Sequence, residues 1–426
     1  MTTPRPAAAQ PDGYRRGVRI MGVGIAATGL LTFLYFSAAG HALSSDAYSR
    51  VALLWAVLFS VMSVFYRPVE QLLSRTIAQR RAQGHTGAHP LRRAAVLQAG
   101  FAALFLTLAL VFRKPLTDGL FDGEDALFWI LTAASLAYAA SYFARGYLAG
   151  HQWFALYGGL VFFEATARLC FPLAVLAGLA SGEIAVALGI VAAPLASLVV
   201  VPAAIVRHQR TVTGDAAPPA DSARSDAGFA GSVALVQLSE QALLNAAVLL
   251  VGGGAAPGIV FSALMIARAQ LQLFQAIQTS LLPHLAGLEA TEGHEAFARA
   301  IRQTVRAIAA FATAVAGGLL LLGPWAVSVI FDADRGAYDR GLALLGVGMG
   351  LHLVAGTFTQ AALARGRAHQ AAAAWLVAAA GFVAWMALSP TGEAMRDTEI
   401  GYAGATAVLC AALWAIYRAG TLTAPR

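Results

Sequence analysis

Apolar residues fill this chain in stretches of about 20, the length at which a helix crosses a bilayer, and short polar segments separate the stretches. Twelve stretches are legible, at roughly 18–39, 48–67, 94–113, 124–144, 153–177, 183–206, 228–251, 257–283, 303–326, 340–363, 368–389 and 398–418. Arg, Tyr and Trp mark many of their ends, as interface anchors do. The pattern predicts an all-α, polytopic membrane protein of about twelve transmembrane helices. The longest break, around residues 207–227, is rich in Pro, Ala and Ser and has no apolar periodicity, as a flexible linker does. It divides the chain six and six. The predicted organisation is a tail (1–17), a first six-helix bundle (18–206), the linker (207–227), a second bundle (228–418) and a short C-terminal tail (419–426).

A weak internal repeat agrees with that division. Gln71–Arg75 followed by Gly84-His85 ends the second span, and Ser280–His284 followed by Gly293-His294 ends the eighth. Two repeats of the same orientation, with a site between them near the middle of the bilayer, are a known transporter plan.

Composition removes the soluble alternatives. Hydrophobic residues make up 58% of the chain and charged residues 12%, where a soluble domain carries about 25% charged residues. Arg15, Arg16 and Arg19 followed by an apolar run could begin a signal peptide. That run is long for a signal core, however, and eleven more follow, so it reads as the first span. Basic residues crowd alternate loops, while the opposite loops are acidic (Asp118, Asp122, Asp334, Glu393), which predicts cytoplasmic termini in a plasma membrane. The formal net charge of +7 suits an inner surface facing anionic lipid and needs no nucleic acid. Both cysteines, Cys170 and Cys410, lie in apolar runs and read as small buried hydrophobes. No CxxC, HExxH or phosphate-binding loop occurs, so neither ATP hydrolysis nor metal catalysis is expected, and no cofactor.

The charges that interrupt the spans carry the functional information. An arginine at the centre of a membrane helix costs roughly 2.5–3.5 kcal/mol on insertion scales, so it marks a partner, a wet cavity or an anionic ligand. Four charges lie near mid-depth: Glu164, Arg168, Glu240 and Arg268. Glu164 and Arg168 share one face of the fifth span, either as a self-neutralising pair or as a charged strip lining a cavity. Glu240 and Arg268 lie at similar depth on antiparallel neighbours and could pair across them. The seventh span gathers Gln237, Glu240, Gln241 and Asn245 on one side, and the eighth gathers Arg268, Gln272, Gln275 and Thr279. These faces suit a structural polar seam or a wet substrate cavity. Ser60, Ser63, Arg67 and Gln71 repeat the spacing on the second span. Arg67 there reads as a snorkelling side chain or as a ligand at the cavity mouth. His352, in the tenth span, reads as a packing residue. Pro172 and Pro194 could kink their helices.

Three segments, AYSRVALLW (Ala47–Trp55), RPVEQLLSRTIA (Arg67–Ala78) and LQLFQAIQTSLLP (Leu271–Pro283), together with the twelve-span plan, resemble the polysaccharide-exporter branch of the multidrug/oligosaccharidyl-lipid/polysaccharide flippase superfamily. The resemblance implies two six-helix bundles around a central cavity that opens to either side of a bacterial plasma membrane. It implies the flipping of a polyprenyl pyrophosphate-linked oligosaccharide by alternating access, with no enzymatic step. Cavity arginines are implied too, which Arg268, Arg168 and Arg67 would supply. Its partners would be the lipid-linked glycan, membrane lipids, and the glycan polymerase and glycosyltransferases of the pathway. The residues fit these expectations. Arg268 would grip the pyrophosphate, and Gln237, Gln241, Gln272 and Gln275 would meet sugar hydroxyls. Glu240 or Glu164 would bind a coupling H+ or Na+. A cation-coupled drug or metabolite antiporter of the same superfamily is the alternative, and a membrane-embedded enzyme acting on lipid-linked sugars is a weaker one.

Overall fold

The computed structural model describes residues 11–82, 89–200, 223–271 and 293–422. Every regular element among them is helical. In chain order these are α1 (Pro11–Ala42), α2 (Ser45–Val61), α3 (Arg67–Ala82), α4 (His89–Val111), the short α5 (Arg113–Leu120), α6 (Asp125–Gly150), α7 (Phe154–Leu176), α8 (Gly182–Ser197) and α9 (Ala223–Leu250). They continue with α10 (Ala256–Leu271), then α11 (Gly293–Phe331), α12 (Leu342–Ala364), α13 (Ala368–Leu388) and α14 (Ala394–Leu422). Among the described residues, nine helical stretches are long and apolar enough to cross a membrane. Three shorter apolar helices, Gly182–Ser197, Ala234–Leu250 and Ala256–Leu271, stand where the sixth, seventh and eighth spans were expected. α9 begins at Ala223, inside the stretch read as linker.

α2 and α3 form one bent span, Ser45–Ser74, joined through a π-helical turn at Met62–Tyr66. Pro68 explains the turn. It has no N–H to give to the carbonyl four residues back, and its ring would press on that carbonyl. Widening the helix by one residue lets the Arg67 N–H reach the Met62 carbonyl instead. The turn breaks the simple three-and-four register expected for Ser60, Ser63, Arg67 and Gln71. Ser60 faces α9, and Gln71 is exposed.

The helices pack as two bundles. In the first, α1 lies against α7, α7 against α8, and α6 against both α3 and α8. In the second, α9 lies against α13, α13 against α14, and α12 against α14 and α11. The α1–α7, α7–α8 and α6–α8 contacts recur six spans later as α9–α13, α13–α14 and α12–α14, so the repeat is structural as well as sequential. The bundles meet through α2 with α9 and α1 with α11.

Toward the side that the basic residues predict to be outside, this meeting is close. The Ser49 hydroxyl accepts from the Gly258 N–H at 3.0 Å. The Ser262 hydroxyl donates to Tyr48 Oη at 3.1 Å, and that of Ser37 to the Ile330 carbonyl at 2.5 Å. Gly40 lies directly on the Phe331 backbone, where any Cβ would collide. The Phe36 ring packs on Phe261 at 4.6 Å, and Tyr48 touches both Phe261 and Phe331. Gly258 and Ser49 are in contact through the Gly258 N–H and the Ser49 hydroxyl, close enough that cysteines at both positions can bridge with a small shift. In a protein whose own cysteines are replaced by serine, the pair Ser49→Cys and Gly258→Cys is therefore expected to cross-link under mild oxidation. Protection of both thiols from a maleimide reads the bond, and free thiols would mean that the bundles are apart at this end.

Candidate functional site

Two networks of polar side chains are buried at the depth the spans predicted, one in each bundle. In the first, Glu164 and Arg168 stand one turn apart on α7 with Arg168 Nη2 3.4 Å from Glu164 Oε1, the intrahelical pair the spacing predicted. The other carboxylate oxygen accepts from Arg145 Nη2 at 2.6 Å and from the Ser141 hydroxyl at 3.1 Å, both on α6. Arg168 also donates to Thr32 Oγ1 on α1 and to Tyr138 Oη on α6, and its guanidinium lies 4.4 Å from the centre of the Trp55 ring. Glu164 and Arg168 are 3% and 2% exposed, so their charges are met by protein and not by water. Tyr157 on α7 donates to Glu70 Oε1 on α3 at 2.9 Å. Arg145 lies just past the end of the fourth predicted span, 124–144. Here it turns inward over the Tyr142 ring, because α6 runs on to Gly150 and buries that turn.

The second network is less saturated. Arg268 on α10 does not pair with Glu240, which corrects the pairing expected from depth alone. Depth fixes how far two residues lie along the bundle axis and leaves open which way each points around its helix. Arg268 Nη1 donates to Asn245 Oδ1 on α9 at 3.3 Å, and its buried Nε and Nη2 have no partner among the described residues. Asn245 Nδ2 reaches Gln241 Oε1 at 3.0 Å and Ser60 Oγ on α2 at 3.3 Å. Arg268 is thereby linked through one amide to the other bundle. Glu240 instead accepts from Gln237 Nε2 at 2.9 Å and faces His352 Nε2 on α12 at 3.5 Å. His352 Nδ1 is 3.1 Å from Tyr402 Oη on α14.

Arg67, at the start of α3, is half-buried and makes no hydrogen bond or ion pair among the described residues; it lies within electrostatic reach of Glu240. The structure thus joins Arg268 to Gln241 through Asn245, and Gln237 to Glu240 and His352, with Arg67 of the first bundle within reach of Glu240. Arg168 and Glu164 belong to the separate network of the first bundle. Gln272, Gln275 and Thr279 lie outside the described residues. His352, read as a packing residue, is the partner of Glu240. Tyr402 and Tyr138 escaped notice because tyrosine at helical spacing looks like core. Among the described residues, no group of three or more metal-ligating side chains converges.

Comparison with solved structures places this frame. An inward-facing multidrug resistance MATE family transporter of the MOP superfamily superposes with a TM-score of 0.71 at 15% identity, covering 93% of this chain and 96% of that one. The fold is that of the MATE transporters. An outward-facing multidrug resistance MATE transporter gives a TM-score of 0.62 at 16% identity over 97% of both chains. A MOP-superfamily transporter from Pyrococcus furiosus, whose binding pocket is described as reversed in polarity and as suggesting a different function, gives 0.68 at 16% identity over 97% of both chains. No family model matches the sequence, and no curated protein matches it. The MATE fold sets two six-helix bundles side by side, and one network lies in each.

The first-bundle network predicts a stability effect. Removing one partner of a buried ion pair typically costs about 3–5 kcal/mol, because the other charge stays buried and uncompensated. Glu164→Gln leaves two guanidiniums, of Arg145 and Arg168, facing a neutral amide. It is expected to lower the thermal midpoint of the detergent-solubilised protein well below that of Cys170→Ala, a change at an exposed residue. Equal midpoints would mean that Glu164 does not hold the bundle.

Proposed function

We propose that this protein is an alternating-access flippase that moves a lipid-linked oligosaccharide, carried on a polyprenyl pyrophosphate, across the plasma membrane. The observation that carries the proposal is the unmet guanidinium of Arg268. Among the described residues, two of its three nitrogens have no partner, at a depth where such a deficit is costly. Arg67, which has no hydrogen bond or ion pair among the described residues, comes from the opposite bundle. Two underused guanidiniums, one from each bundle, match a pyrophosphate, which offers oxygens on both phosphorus atoms for bidentate contacts. Gln237 and Gln241, whose amides both donate and accept, suit sugar hydroxyls, and Gln272 and Gln275 continue the face of Arg268 in sequence.

Arg168 and Glu164 take a supporting part. Arg168 already has three hydrogen-bond partners and an aromatic ring, which leaves little for a substrate. The Glu164 carboxylate already accepts from Arg145, Arg168 and the Ser141 hydroxyl, which suits a counter-charge. Glu240, with one histidine and one amide, is the better ion-coupling residue.

The opposing reading is a cation-coupled drug antiporter. Solved neighbours described as multidrug resistance transporters favour it. Cationic drugs would have to enter beside Arg67 and Arg268, whose charges repel them. The reversed pocket polarity described for the Pyrococcus furiosus neighbour is a precedent within this fold for a different cargo.

Flipping of a fluorescent polyprenyl pyrophosphate-linked glycan in proteoliposomes tests the proposal. A hydrogen bond to a charged group contributes about 1.5–3 kcal/mol, so Arg268→Ala is expected to reduce flipping roughly tenfold to a hundredfold. Arg268→Lys, which keeps the charge but loses the fork, is expected to lie between. Wild-type flipping by Arg268→Ala at equal reconstitution would remove the headgroup role. Transport of a cationic dye by a protein that does not flip the glycan would establish the antiporter instead.

Glu240→Gln is expected to abolish the stimulation of flipping by an imposed ion gradient while leaving downhill exchange measurable. Stimulation that persists in this variant would take the coupling role away from Glu240.

A further inference from the structure

We propose that Asp339 and Glu399 hold one proton between them at the predicted outer end of the second bundle, where it takes the place that Arg50 has in the first. In the first bundle the acidic groups of that end are bridged by an arginine. Arg50, near the start of α2, reaches Asp122 in the loop after α5 through Nη1 at 3.2 Å, and Glu183 at the start of α8 through Nε at 2.9 Å. The second bundle repeats the frame. Asp122 and Asp332 each stand at positive φ just past a helix end, behind Phe121 and Phe331. The alignment that sets Gln71 on Ser280 sets Arg50 on Ile259. Carboxylates recur in the loop before α12 and near the start of α14, as Asp339 and Glu399, but α10 brings an apolar residue where α2 brings a cation.

The two carboxylates converge on Gly341. Glu399 Oε2 lies on the open face of that glycine, where any Cβ would collide with it. Asp339 Oδ1 stands 2.7 Å from the same point and accepts the Gly341 N–H at 2.6 Å. Glu399 is 3% exposed, and its buried Oε1 has no hydrogen-bond partner among the described residues. The first N–H groups of α12 do not serve it, because Leu342, Ala343 and Leu344 give theirs to the carbonyls of Asp339, Arg340 and Gly341. An ionised carboxylate enclosed in this way has lost its water without gaining a donor. One proton from the solution outside removes that deficit. An O–H bond forms on Glu399, the hydroxyl donates to Asp339, and the pair keeps one negative charge instead of two. Release reverses the step. Two carboxylates that face each other with no cation between them share a proton for the same reason.

The other charged groups of this end are committed or turned to solvent. Arg396 on α14 lies within electrostatic reach of Glu399, but it is exposed and pairs with Glu393 at 3.6 Å. Asp397 accepts from the Ser389 hydroxyl and the Thr391 N–H, and Asp334 from the Gly336 N–H. Arg340 is exposed and forms no ion pair among the described residues. The outer halves of α11 and α13 and the last turns of α9 carry no titratable residue. Calcium fits poorly, since it takes about six to eight oxygens and no third metal-ligating side chain converges here among the described residues. Gly341 precedes His352 by eleven residues on one helix, about 16 Å along its axis, so the pair is separate from Glu240 and from the transport reading.

Infrared difference spectra of the full-length protein in lipid nanodiscs read this proton directly, because a protonated carboxyl absorbs apart from a carboxylate and its band shifts in heavy water. Titrated from about pH 9 to about pH 5, a range above that of ordinary carboxyls, the spectrum is expected to gain a carboxyl band that is missing in Glu399→Gln. Asp339→Asn takes away the like charge and offers an amide donor, and is expected to move the midpoint of that band toward acid by at least about one pH unit. Gly341→Ala suits the backbone at φ −62° but sets a methyl against Glu399 with both carboxyls kept, and is expected to move the midpoint the same way. Calcium added at constant ionic strength is expected to leave the titration unchanged. No such band, a band that persists in Glu399→Gln, a midpoint indifferent to Asp339→Asn, or a band that calcium abolishes would each overturn the proposal.

Discussion

A guanidinium within a membrane cannot shed its charge, so the protein around it must supply what water no longer does. That constraint organises the interior of this molecule. In the first bundle, Arg145 and Arg168 converge on Glu164 and tie α6 to α7, while Arg168 extends to Thr32 on α1 and to the face of Trp55 on α2. Four helices are fastened by two cations and one carboxylate. In the second bundle the same cost is left partly unmet, for Arg268 has one hydrogen bond among the described residues, to Asn245. The asymmetry is between guanidiniums that share a carboxylate and one that, among the described residues, meets only an amide.

Much of this was legible in the sequence, because a bilayer demands long apolar helices and taxes every exception. The twelve spans, the division into halves, the pairing of Glu164 with Arg168 and the polar face of α9 all follow from length and periodicity. The azimuthal relations between helices did not. Glu240 and Arg268 share a depth, yet Glu240 points toward α12 and Arg268 toward Asn245. His352 looked like a lone histidine because its partners are 112 and 50 residues away in sequence, on α9 and α14. Arg145 and Glu70 sit near span ends, where a basic or acidic residue is ordinarily solvated, so only the packing of α6 on α3 reveals that they turn inward. Pro68 was visible, but not that α2 would meet it with a π-turn and so reset the register of Arg67.

Inside each bundle the polar contacts are buried and many are charge-assisted, the stronger class of hydrogen bond. Between bundles, on the side predicted to be outer, they are of another kind: the Ser49–Gly258, Ser262–Tyr48 and Ser37–Ile330 bonds are neutral, and Gly40 meets Phe331 through backbone alone. A neutral bond of this sort contributes about 0.5–1.5 kcal/mol net, and an edge-on aromatic contact such as that of Phe33 with Phe331 about as much. Such contacts can be made and broken together without exposing a buried charge, whereas parting α6 from α7 would strand one. Two bodies held firmly within and loosely between are what a rocking motion requires. Asn245 occupies the exceptional position, since it is bonded at once to Arg268, Gln241 and, across the interface, Ser60. Any ligand that draws on Arg268 competes for the amide that also touches the other bundle. Binding at that arginine and the grip between the bundles therefore share one residue, and a substrate would change the second by occupying the first.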